Sequence, residues 1–120
     1  KNFFGKEVDR KESVSEQIHI LSHQRPDNFM ATAIHELTHD LIADHYPRLK
    51  DAPDWVHEGI CQYVAATYCR KFQFGDALHV IETSPNPVYG DGYRYFKKTL
   101  GDNNWAGLKN WMLNSPVPSR

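Results

Sequence analysis

His35-Glu36-Leu37-Thr38-His39, followed later by Glu58, is the part of this sequence whose residue types and spacing can do chemistry. On an α-helix, positions i and i+4 lie ~40° apart around the axis and ~6 Å apart along it, so both imidazoles can converge on one ion. Glu36 does not share that face as a ligand. The H-E-x-x-H pattern gives it the role of general base toward a metal-activated water. Eighteen residues separate His39 from Glu58. The Glu58 carboxylate lies in a second helix-compatible segment, so the third ligand comes from a separate element, as an open catalytic site requires.

The ligand set determines the reaction expected. Two neutral imidazoles and a carboxylate leave a single Zn²⁺ with a residual charge of about +1 and one open position, where water has its pKa lowered toward ~7. Glu36 would accept that water's proton during attack on a polarised carbonyl and pass it to the leaving amine. The expected activity is zinc-dependent hydrolysis of peptide bonds, with a protein or peptide as substrate. Tyr89, in a Gly-rich stretch after Pro85 and Pro87, is the candidate to stabilise the oxyanion, with Tyr93 next. Gln62 lies one turn beyond Glu58, where its amide oxygen can fix the tautomer of a ligand histidine, and Asp40 and Asp54 are alternative partners. His19, His23, His45, His57 and His79 read as surface residues.

The elements that position these groups follow from pattern. Gln17 to His23 is short, β-branched at two positions and bounded by Gln24-Arg25-Pro26, so it reads as a strand that could serve as a substrate-binding edge. Phe29, Met30, Ala33, Ile34, Leu37 and Leu41 recur at helical spacing from Pro26-Asp27-Asn28 until Tyr46-Pro47. Asp51-Ala52-Pro53-Asp54 opens a second helix with a stripe of Val56, Ile60, Tyr63 and Val64, and this helix carries Glu58. Ala77 to Ile81 reads as helical or extended, Thr83 to Pro87 as a loop, and Tyr93 to Leu100 and Trp105 to Leu113 as two short helices. The fold expected is α+β, a minimal domain with a small sheet or edge strand packed on the metal helix.

Composition narrows the class. At 120 residues, 40% hydrophobic and 24% charged, the chain fits a single globular domain, residues 1–120, rather than a disordered protein. Fourteen basic against fifteen acidic residues give a net charge of −1, and no basic patch argues for nucleic acid. The longest apolar run is far short of a membrane span. Cys61 and Cys69 would stand ~12 Å apart along one helix, too far for a disulfide, so both read as unbridged thiols that favour a cytoplasmic, reducing setting. Lys1 opens the chain without a methionine, which reads as a piece of a longer protein.

Ile18 to Leu21, the helix Ile34 to His39, Glu58-Gly59-Ile60-Cys61-Gln62 and Pro87 to Arg94 together resemble the C-terminal peptidase domain of the plant LIM-domain, ubiquitin-activated metallopeptidases that limit organ growth. More broadly the chain resembles a gluzincin. The resemblance covers residues 17 to 100 and implies an intracellular endopeptidase, with ubiquitin or ubiquitin-pathway proteins as partners. Lys1 to Glu16 contains no cysteine and cannot form a LIM zinc site. Two other classes stand beside this one. The first is a catalytically inactive zincin-like module that binds zinc and a protein partner, although structural zinc has no need of a base at Glu36. The second is a metal-free interaction domain.

Overall fold

The computed structural model describes residues 26–118. Five α-helices and one 3₁₀ turn make up the regular structure of these residues: α1 Pro26–His45, the turn Pro47–Leu49, α2 Asp54–Lys71, α3 Gly75–Glu82, α4 Tyr89–Leu100 and α5 Trp105–Asn114. The expected α+β architecture is therefore corrected, because every regular element among the described residues is a helix and none is a strand. The strand expected over Gln17 to His23 lies outside the described residues. Among the described residues, no helix is long and apolar enough to cross a membrane.

α2 is the axis of the molecule. Val56, Gly59, Ile60, Cys61, Tyr63, Val64, Ala65, Ala66 and Cys69 are all buried along it. A helix apolar around most of its circumference needs neighbours on several sides. α4 and α1 supply the largest of these contacts and α3 a smaller one. Pro53 sits at the N-cap with extended backbone, one position earlier than first-turn proline chemistry suggests. From the middle of α2, the Tyr63 hydroxyl donates to the Gly101 carbonyl at 2.5 Å and accepts from the Asn104 amide at 2.9 Å. Asn104 in turn caps α5, its side-chain oxygen accepting from the Gly107 amide at 2.9 Å. Arg48 donates to the Met112 carbonyl at 2.7 Å and to that of Ser115, tying the 3₁₀ turn to the end of α5.

α4 begins four residues earlier than its apolar pattern suggests. The Asn86 side-chain oxygen accepts from the Val88 and Tyr89 amides at 2.8 and 2.9 Å, and Pro87 follows the capping residue, which together start a helix where two glycines read as a loop. Those glycines serve packing. A Cβ on Gly59 would stand 2.7 Å from the Gly92 carbonyl carbon and oxygen, and a Cβ on Gly92 would collide with the Trp55 carbonyl. The two backbones thus meet with no side chain between them.

One charged network holds α2, α3 and α4 at their other ends. Glu82 Oε2 accepts from Arg70 at 3.0 Å, Lys97 at 2.8 Å and the Tyr93 hydroxyl at 3.1 Å. The Lys97 hydrogen bond holds the Glu82 carboxyl below its ordinary value of 4.5; burial opposes this, and Arg70 and Tyr93 add to the lowering.

Two predictions follow from this packing. Gly92→Ala should lower stability by about 1–3 kcal/mol, the usual cost of overpacking, whereas Gly75→Ala, with open space around its Cβ position, should be neutral or stabilising; denaturant midpoints measure both. A carboxyl depressed by folding contributes stability above its unfolded pKa and loses it as pH falls toward the folded one. Stability should therefore drop below about pH 4.5, and Glu82→Gln should make that acid limb shallower in unfolding curves recorded from pH 7 to 3.

Candidate functional site

α1 and α2 run side by side, joined by residues 46–53, and present their polar groups to each other at one place. His35 and His39 lie one turn apart on α1 with ring centroids 5.1 Å apart. Glu58 reaches across from the second turn of α2, and its Oε1 lies 2.8 Å from His35 Nε2 and 3.0 Å from His39 Nε2. One carboxylate oxygen is thus shared by both imidazoles. Burial pushes the Glu58 carboxyl upward, but the hydrogen bonds with His35 and His39 and their charge outweigh it and hold the group down at about 2. Glu58 is an anion at neutral pH.

Gln62, one turn after Glu58, places its Oε1 2.8 Å from His35 Nδ1. His35 therefore faces an acceptor at each ring nitrogen, Gln62 at Nδ1 and Glu58 at Nε2. A neutral imidazole carries only one N–H. With that hydrogen on Nδ1, donated to Gln62, the Nε2 lone pair points at a carboxylate oxygen, an arrangement that needs a positive charge between them. A second proton can supply it, and so can a metal cation. Two imidazole nitrogens and an ionised carboxylate oxygen are a donor set that suits zinc. In a tetrahedral site with ligands at about 2.0–2.1 Å, neighbouring donors stand about 3.3 Å apart. The two pairs, at 2.8 and 3.0 Å, are closer than that, so an ion between them would have to part both.

Glu36 and Tyr89 flank this triad. Both line a cleft of about 400 Å³ with His35, Gln62, Asn28, Thr32 and a wall of Ala77, Val80 and Ile81 from α3. Tyr89 is the first residue of α4 rather than part of a loop, and its ring centroid lies 5.8 Å from that of His35. Burial, followed by the negative charges of Glu58 and Glu36, pushes its hydroxyl above the ordinary value of 10, so it stays a proton donor at neutral pH. The other tyrosine considered, Tyr93, is buried away from this cleft and bonded to Arg70 at 2.7 Å and to Glu82.

The structure thus brings together His35, His39, Glu58, Gln62, Glu36 and Tyr89, all singled out from sequence. The hydrogen-bond partner of His35 Nδ1 is the Gln62 amide oxygen, while Asp54 is an exposed residue in the first turn of α2. His45 and His79 are exposed and His57 is half-buried; His19 and His23 lie outside the described residues. Cys61 was missed. Its buried sulfur and one ring nitrogen each of His35 and His39 lie within 4.8 Å of one another. The signal was present in its spacing, because three residues after Glu58 is the same face of α2.

No curated protein and no solved structure matches the chain. The family described as Protein of unknown function (DUF1570) matches residues 29–111, most of the chain and every residue of the site just described except Asn28, and the chain belongs to that family.

Proposed function

We propose that the protein is a zinc-dependent peptidase that hydrolyses peptide bonds of protein or peptide substrates, with one zinc ion held by His35, His39 and Glu58. The observation that carries this reading is the shared Glu58 oxygen, 2.8 and 3.0 Å from two imidazole nitrogens, beside a cleft that contains a second carboxylate, Glu36.

Bound there, zinc would supply a Lewis acid that polarises a substrate carbonyl and acidifies water. The remaining work belongs to the chain. Glu36 is the base, accepting the proton of the attacking water on its carboxylate and returning it to the leaving nitrogen. The Tyr89 hydroxyl, held in its protonated form, donates to the oxyanion that develops as the carbonyl becomes tetrahedral. Gln62 keeps the His35 hydrogen on Nδ1, so that Nε2 offers its lone pair. The apolar wall of Ala77, Val80 and Ile81 limits water on one side of the cleft. A reducing, cytoplasmic setting agrees with two buried thiols on α2.

A non-catalytic zinc-binding interaction module is the second reading, and the sulfur of Cys61 beside the histidines favours it, since cysteine and histidine together are the usual ligands of structural zinc.

Glu36→Gln separates the two. It should retain about one equivalent of zinc by metal analysis and lose cleavage of a mixed-peptide library by 10²-fold or more, the low end of general-base contributions. Full retention of cleavage would sink the mechanism, and wild-type protein that binds zinc without cleaving would favour the module. Gln62→Leu should weaken zinc binding by about 10–100-fold, the usual effect of removing a partner of a ligand histidine, with competition against a chromophoric chelator as the measurement.

A further inference from the structure

The cleft beside the triad has two walls of opposite character. Asn28, Thr32 and Glu36 recur every four residues along α1, so they form one polar line on its surface. Ala77, Val80 and Ile81 follow helical spacing on α3 and give the same cleft an apolar wall. Ala77 and Ile81 are rooted in the core, whereas Val80 is 64% exposed and forms the open edge of that wall. The wall is also fixed in place. Glu82, next after Ile81, pairs with Arg70 of α2 at 3.0 Å and with Lys97 of α4 at 2.8 Å, so α3 cannot swing away from the cleft without parting both. His35, Glu36 and Tyr89 line this cleft too, and whatever occupies it lies against the groups that would do the chemistry.

We infer that the cleft selects peptides with an aliphatic side chain, of the size of valine, leucine or methionine, beside the scissile bond, and that Val80 sets this preference. The inference rests on the peptidase function proposed above and names the substrate class of the same site. An extended peptide is itself two-sided, with main-chain N–H and C=O groups to satisfy and side chains that alternate in direction. Laid between α1 and α3, it can give main-chain groups to the Asn28 amide and the Thr32 hydroxyl, each of which both donates and accepts. One side chain then turns onto Ala77, Val80 and Ile81, which removes apolar surface of both partners from water. An acidic side chain at the same place would lose its hydration against that wall and meet the negative charges of Glu36 and Glu58. The cleft, at about 400 Å³, lies within the ~300–1,000 Å³ typical of ligand sites and so holds a short stretch of peptide rather than one side chain.

Cleavage of a mixed-peptide library by the zinc-loaded protein, with the cuts mapped by mass spectrometry, tests this. One position beside the cut should be enriched in valine, leucine and methionine. A leucine peptide should exceed its alanine counterpart in kcat/KM by about 10-fold or more, as small differences in side-chain size do in an apolar pocket. Val80→Asp changes an exposed residue; it should lower kcat/KM for the leucine peptide by about 10-fold or more and favour lysine at that position. Cleavage with no aliphatic preference, or with one that Val80→Asp leaves unchanged, overturns the inference and leaves the peptidase function intact. A wild type that binds zinc but cleaves no peptide overturns both. Methyl NMR on zinc-loaded Glu36→Gln protein, titrated with the leucine peptide, gives a readout that needs no turnover. The Val80 and Ile81 methyl signals should shift, while those of exposed Leu113 on α5 should not. Unmoved Val80 and Ile81 signals overturn the inference, and this titration decides the question even if Val80→Asp does not fold.

Discussion

Gly59 and Gly92 let the backbones of α2 and α4 touch, and the geometry around the cleft depends on that contact. Gly59 directly follows Glu58, and Gly92 lies one turn after Tyr89 on α4. With a Cβ at either position the two helices would have to part, since the atoms it would meet are main-chain atoms that cannot rotate aside. The crossing point therefore fixes how far Tyr89 stands from the histidines, and it does so through rigid elements rather than through a loop. Asn86 reinforces this by starting α4 at a defined residue, so that the first side chain of the helix is the one that faces His35.

Around that fixed crossing, the electrostatics are those of a partly buried anion shared by two rings. An ionised carboxylate withdrawn from water is costly unless its oxygens are matched by donors or by a cation. Glu58 meets that condition with both imidazoles on a single oxygen. Gln62 then removes the freedom of His35 to turn or change tautomer. The Arg70, Glu82, Tyr93 and Lys97 network has a different character. It lies at the other end of the same helices, bonded among its own members, and its effect is to hold α2, α3 and α4 in register.

Much of the site was legible in the sequence because its pattern is local. His35 and His39 are one helical turn apart, and Glu58 and Gln62 repeat that spacing on the next helix, so periodicity alone puts each pair on one face. Both helices were legible for the same reason, and Ala77 to Ile81, ambiguous by length, resolved as part of α3. What escaped was set by tertiary contact. Gly90 and Gly92 suggest a loop by composition, and only tertiary contact explains why they sit within a helix, Gly92 against α2 and Gly90 against the Ser84 carbonyl. Cys61 reads as an unremarkable buried thiol until α1 is laid against it. The α+β expectation rested on one apolar stretch outside the described residues, while every described element is helical.

His35, His39, Glu58, Cys61 and Gln62 all come from one pair of consecutive helices joined by residues 46–53. Closing so short a connection costs little chain entropy, because the cost grows only with the logarithm of loop length. The polar cluster is thus assembled at a small cost in chain entropy, set by one short connection, and α4 needs to bring only Tyr89 to it.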